Sequence, residues 1–168
     1  YTPGQGVELM LEVKIRQIGN SHGLILPKEA LQSLHLESGE PTIIRQEPGG
    51  ILIMKKKALR TLGKGQKSTE FEYTGSVRDG VFLLFRKAKP AKIDARLFEQ
   101  AMRDHSGKTL AGGFDKKDIQ SGGLGEWLYL ASNRALTQQH ASFMAAILCS
   151  EAGVQHHHEG NAVMLTFP

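Results

Sequence analysis

Polar and apolar positions alternate along residues 9–18, LMLEVKIRQI. Leu9, Leu11, Val13 and Ile15 fall on one face and Glu12, Lys14 and Arg16 on the other. That period of two predicts a half-buried strand. A polar, glycine-rich stretch, GNSHG, separates it from a second short strand over residues 23–26. Pro27 then fits at or beside the first position of a helix, where its missing N–H costs nothing. KEALQSL supplies one or two helical turns with Ala30, Leu31 and Leu34 inward. HLESGE closes them, with Gly39 suited to a left-handed turn. PTIIRQ and ILIMKK flank EPGG and predict two strands around a glycine-rich hairpin.

The second half follows a different pattern. EFEYTGSVRDGVFLLFRKA places an Arg78-Asp79-Gly80 turn before the apolar run Val81-Phe82-Leu83-Leu84-Phe85, a hairpin with one buried strand. Residues 93–105 predict a helix with Ile93, Leu97 and Met102 near one face, Phe98 and Ala101 beside them, and Asp94 in the first turn. Gly107 ends it. Leu124, Trp127, Leu128 and Ala131 recur at i, i+3, i+4 and i+7 in a helix over 124–132. Thr137 caps another helix that runs to Glu151 and stops at Gly153. VQHHHEGNAVMLTF then predicts a closing hairpin that turns at Glu159-Gly160-Asn161, with Val163, Leu165 and Phe167 inward. No internal repeat relates the halves.

Composition adds bounds. The chain has 168 residues, 40% hydrophobic and 23% charged, ordinary for a globular protein of one or two small domains. No apolar run reaches the roughly 18 residues of a membrane span, and no signal-peptide pattern opens the chain, so the cytoplasm is the expected compartment. The chain does not begin with Met, which leaves its true N-terminus open. The lone Cys149 sits in an apolar stretch and reads as a small buried hydrophobe.

The net charge of +4 is placed unevenly. Residues 1–67 hold 10 Lys+Arg against 6 Asp+Glu, whereas residues 68–168 hold 11 of each. The excess lies wholly in the first part, which points to an anionic partner there, nucleic acid first. KALRTLGKGQKST is basic and without periodicity, so residues 57–69 read as a linker between a domain at 8–56 and another at 70–168. A segment of roughly 50 residues without disulfide or metal rarely closes a core alone. The first domain is therefore expected to be an intertwined homodimer.

The run Ile18-Gly19-Asn20-Ser21, then Gly23-Leu24-Ile25-Leu26-Pro27, a short helix, LHLESGE and the GGILIMKK hairpin resembles the AbrB/MazE/SpoVT family of swapped-hairpin DNA-binding domains. The resemblance covers residues 10–56, under a third of the chain. It implies an interleaved, β-dominated homodimer whose paired hairpins enter the major groove of duplex DNA, followed here by a small α+β domain, a mixed fold overall. Arg16 and Gln17 stand where relatives are often basic, Ile18 where many carry Trp, and Asn20 and Ser21 match outright. Ile25 departs from relatives that contact DNA with an Arg in that strand. The resemblance thus implies DNA contacts from Arg16, Gln17, Asn20 and Ser21, and Lys14, His22 and Lys28 are expected to make up for the Arg missing at Ile25. The side-chain chemistry agrees, since Arg, Asn and Ser donate to phosphates and base edges.

Other motifs carry less. HSGKT, residues 105–109, resembles the end of a P-loop, but Met102 stands where the first glycine belongs and a helix, not a strand, precedes it. SGGLGEW does not fit the spacing of a dinucleotide fingerprint. Of His156, His157 and His158 only the first and third share a strand face, and no structural metal site is expected. The last two helices and hairpin have the order of a winged helix, yet residues 141–149 hold no Lys or Arg and read as a core helix. No catalytic residue and no cofactor is assigned. The expected function is a sequence-specific dimeric DNA-binding transcriptional regulator. An antitoxin that holds a toxin through residues 57–168 and a free-standing regulator with a ligand- or protein-sensing second domain both remain open. An enzyme with its site in residues 70–168 ranks behind them.

Overall fold

The computed structural model describes residues 13–33, 35–86, 89–115 and 120–168. The chain forms a mixed fold of small antiparallel sheets and, among the described residues, four α-helices, divided into two compact units, Tyr1–Lys55 and Lys56–Pro168. The expected strand residues Leu9, Leu11 and Glu12 and the expected helix residue Leu34 lie outside the described residues.

In the first unit, β1 (Ile15–Ile18) pairs antiparallel with β2 (Ser21–Leu24). The connection is only two residues, Gly19-Asn20, and Gly19 has φ 62°. A positive φ at the first turn position is met by glycine without a Cβ clash, and type II′ turns, which place glycine there, have a twist that matches the strands. Ser21 and His22, read as part of a polar turn, therefore stand in β2, and Ile25 and Leu26 follow the strand instead of forming it. Helix α1 (Lys28–Ser33) has no buried residue. It ends where His35 turns left-handed at φ 51°, with Leu36 N–H to Leu31 O at 2.9 Å and His35 N–H to Gln32 O at 3.1 Å. This double bond pattern is a Schellman close. It ends the helix ahead of Gly39, which takes φ 87° further on. Strands β3 (Thr42–Glu47) and β4 (Gly50–Lys55) form a second hairpin around Pro48-Gly49. Pro48 and Gly49, φ 89°, suit the two central positions of a type II turn. Lys55 Nζ reaches Glu40 Oε1 at 2.5 Å, and Glu40 Oε2 accepts the Glu37 N–H at 2.8 Å, tying the hairpin to the loop before it.

The second unit has a four-stranded sheet in the order β5-β6-β7-β8, from Lys57–Arg60, Glu70–Ser76, Gly80–Leu84 and Ala91–Ile93. Helices α2 (Ala95–Asp104), α3 (Leu124–Ala131) and α4 (Gln138–Glu151) complete its core with a three-stranded sheet, β10-β11-β9. Those strands are β9 (Thr109–Ala111), β10 (Gln155–Glu159) and β11 (Ala162–Thr166). Two sequence expectations change here. Residues 57–60 are no linker: they are edge strand β5, with Lys57 opposite Tyr73 and Leu59 opposite Phe71. Leu59 and Ala58 have little periodicity of their own, but β6 offers an open edge whose N–H and C=O groups need partners. Ile93 is not helical either. It pairs with Val81 at the end of β8 and is fully buried, while Asp94 becomes the extended residue before α2.

The remaining second-half elements lie close to the pattern, except β9, which the sequence pattern did not predict and which pairs with β11. Phe71, Leu83, Phe98, Leu128, Met144, Leu148, Leu165 and Phe167 share one buried cluster. Thr137 starts α4, and its backbone N–H donates to His140 Nδ1 at 3.0 Å, so His140 fills the reciprocal role usually taken by Glu or Gln. Val163, Leu165 and Phe167 point inward along the last strand. No helix among the described residues is long and apolar enough to cross a membrane.

Candidate nucleic-acid interface

The β1–β2 hairpin sorts the residues singled out for DNA contact by strand register. Arg16 is opposite Gly23 and Ile18 opposite Ser21, so these four share one face. Gln17 is opposite His22 and Ile15 opposite Leu24, and these share the other. Asn20 occupies the tip, Lys14 lies just before β1, and Lys28 opens α1. Every one of the expected contact residues is exposed. The hairpin therefore brings Arg16 together with Ser21, and Gln17 with His22, but it puts Arg16 and Gln17 on opposite sides. A lone β-ribbon has two faces, and alternation makes this division unavoidable.

Close packing fixes the Arg16 face. Gly23 has no side chain, and Ile18 Cδ1 would lie 2.7 Å from a Cβ placed there. Ile18 thus leans across the strand over Gly23, next to Arg16. On the turn, Gln17 Nε2 donates to Gly19 O at 3.3 Å, which draws its amide toward the tip. A two-stranded ribbon with Arg, Asn, Ser and His along its length and tip is narrow enough to enter a major groove.

Both hairpins of the first unit carry exposed isoleucines. Ile15 is 69% exposed and Ile18 59%, while Ile44 is 65% and Ile51 55% exposed. By register Ile44, Ile51 and Ile53 share one face of the β3–β4 hairpin, with Ile43, Leu52 and Met54 on the other. Among the described residues of the first unit only Leu36 is a buried hydrophobic, at 7% exposure.

The second unit holds the titratable groups with altered environments. Glu151 Oε1 accepts from Lys57 Nζ and from the Tyr73 hydroxyl, each at 2.9 Å, and Oε2 accepts the Val77 N–H at 3.1 Å. Burial alone would raise its carboxyl, but those hydrogen bonds and the Lys57 charge outweigh it and hold the carboxyl below the usual range. Tyr73 is pushed well up by burial and by that neighbouring carboxylate. Burial raises the Cys149 thiol to about 11, which leaves it protonated and poorly nucleophilic near neutrality. His156 and His158 share a face with ring centroids 5.9 Å apart, but His158 Nε2 is bonded to Leu62 O at 2.9 Å. Among the described residues, no group of three His, Cys, Asp or Glu side chains is placed to hold a metal ion.

A feature that the sequence did not signal is a cavity of about 680 Å³ in the second unit, between the loop after β5, the loop before α3, the start of α4 and the β10–β11 turn. Its walls come from four segments far apart in sequence, so no local spacing marks it. The chain matches no protein-family model, no curated protein and no solved structure.

Proposed function

We propose that the chain is a dimeric, sequence-specific DNA-binding transcriptional regulator whose β1–β2 hairpin is the DNA-contacting element. The observation that carries this reading is the sparse core among the described residues of the first unit, beside a polar, basic ribbon. Ile15 and Ile18, on the hairpin that presents Arg16, Asn20 and Ser21, and Ile44 and Ile51, on the β3–β4 hairpin, stay open to water. Each would contribute roughly 1.5–3 kcal/mol if buried, so a second copy interleaved with the first is the arrangement that stabilises both hairpins and doubles the cationic surface. The swapped-hairpin resemblance supports the same arrangement.

The second unit's own buried cluster favours a free-standing regulator with a ligand- or partner-sensing domain. In the antitoxin version, residues 57–168 would instead hold a toxin. The test is a salt titration of duplex binding, using the promoter upstream of the protein's own gene and a scrambled control. Log affinity should fall linearly with log salt, with a slope of about −0.9 for each phosphate neutralised, and the promoter should be preferred. Binding that ignores salt, or treats both duplexes alike, would remove the reading.

A further inference from the structure

We infer that the cavity in the second unit is a binding site for a small uncharged, hydroxyl-rich molecule, a mono- or disaccharide in chemical class. The inference goes beyond the DNA-binding reading and does not depend on it. At about 680 Å³ the cavity falls in the size range of small-molecule sites. Its chemistry narrows the occupant. Gln120, Gln139 and Asn161 line it with amides, each both donor and acceptor, and Thr69 and Ser142 line it with hydroxyls. Ser142 Oγ donates to Gln139 O at 2.7 Å, which leaves its lone pairs to accept from a ligand. Among the described residues the lining holds one cationic side chain, Lys67, and one anionic, Asp115, so amides and hydroxyls outnumber the charges there.

Two aromatic rings complete the walls, and both are held in place. Phe143 packs against Phe71 at 4.9 Å and Phe85 at 5.9 Å between centroids. Phe114 lies against Gly112, where a Cβ would come within 2.5–2.9 Å of three ring carbons. Only glycine admits the ring so close, and one side of Phe114 is thereby backed by main chain. A fixed phenyl platform suits the C–H face of a sugar ring, and donor–acceptor amides and hydroxyls around it suit the ring's hydroxyls. A purely apolar ligand would strand the amides.

The experiment uses the full chain and saturation-transfer NMR backed by calorimetry. The probes are glucose, galactose, maltose and sucrose, with glucose 6-phosphate and arginine as charged controls. Saturable binding of at least one uncharged sugar is expected, stronger than either charged control. Gln139→Ala and Asn161→Ala, both at exposed positions, should each weaken it roughly three- to tenfold, the loss of one hydrogen bond, with unchanged thermal unfolding. Absence of saturable binding by every uncharged probe would overturn the inference. So would preference for a charged control, or binding that both variants leave unchanged.

Discussion

Lys57 and Glu151, 94 positions apart, meet with Nζ 2.9 Å from Oε1, joining edge strand β5 to the last residue of α4. The same carboxylate takes the Tyr73 hydroxyl and the Val77 N–H. Lys57 Nζ also donates to Gly75 O at 2.9 Å. One half-buried carboxylate therefore ties β5, β6, the β6–β7 loop and α4 together.

Glu151→Ala strands three donors, and it should destabilise the second unit by about 1–3 kcal/mol, because water can reach only part of the site. Lys57→Met leaves the tyrosine and amide bonds in place and should cost less. Denaturant midpoints of the two variants give the order, and a larger loss for Lys57→Met would show that the carboxylate is not the centre of this cluster.

Acid should weaken the second unit in two steps. His105 lies between Trp127 and Phe167, with ring centroids 5.4 and 5.3 Å away, and among the described residues its buried Nε2 finds no hydrogen-bond partner. Burial and the Lys108 charge lower its pKa below the ordinary 6.5, against a smaller opposing effect of Asp104. A lowered folded pKa means that the unfolded chain binds the proton more readily, so stability is full above about 6.5 and is lost as pH falls toward the folded value. Glu151 follows the same sign below its ordinary 4.5. Urea midpoints measured from pH 8 to pH 4 should decline first below pH 6.5, and His105→Phe should remove that first decline. Trp127, the single tryptophan, reports the same titration by fluorescence. Equal pH dependence in wild type and variant would refute the assignment.

Gly125 stands inside α3, where a Cβ would lie 1.9 Å from the Gly113 carbonyl oxygen. That contact is with main chain and cannot rotate away, so Gly125→Ala should cost about 1–3 kcal/mol or more through backbone displacement. Gly122, φ 75° with nothing within 4 Å of an added Cβ, is the comparison. Gly122→Ala should cost only about 1 kcal/mol for the left-handed backbone. Thermal melts followed by circular dichroism rank the pair.

The first unit should be dimeric in the full chain. Ile44 and Ile51 share one open face of the β3–β4 hairpin, and charges placed there should break an interface built on it. Sedimentation velocity should give a dimer for wild type at micromolar concentration and a shift toward monomer for Ile44→Glu with Ile51→Glu. A folded wild-type monomer under those conditions would contradict the interleaved arrangement.

The division of faces on the β1–β2 hairpin makes a sharper test of DNA contact. Arg16 and Gln17 point to opposite sides. Arg16→Ala removes two cations per dimer and should weaken binding and flatten the salt slope by up to about two units. Gln17→Ala removes no charge and should leave the slope as it is. Asn20→Ala separates two roles for the tip. If Asn20 reads a base edge, the variant should bind more weakly by roughly 1–3 kcal/mol and with relaxed sequence preference. If Asn20 only caps the turn, the variant should melt earlier with its preference unchanged. An unchanged slope for Arg16→Ala would count against this surface.

Periodicity alone determined much of the second unit. Leu124, Leu128, Val163, Leu165 and Phe167 are buried where their spacing places them, because each period fixes which face must leave water. Turn residues were legible for the same local reason, as Gly19 and Gly49 show at positive φ. Alternation also put Lys14 and Arg16 on one face of the first strand, but not which residues of the second strand join them there. That Arg16 faces with Ser21, and Gln17 with His22, follows only from the two-residue turn that sets the register, and a shift of one residue would have exchanged the faces. Tertiary structure alone decided three further points. Residues 57–60 became β5 because β6 presented an unpaired edge, and Ile93 joined β8 because Val81 offered it a partner. The cavity formed from four distant segments. Local sequence encodes which side chains avoid water, but hydrogen-bond partners and concave surfaces are settled by what folds against them.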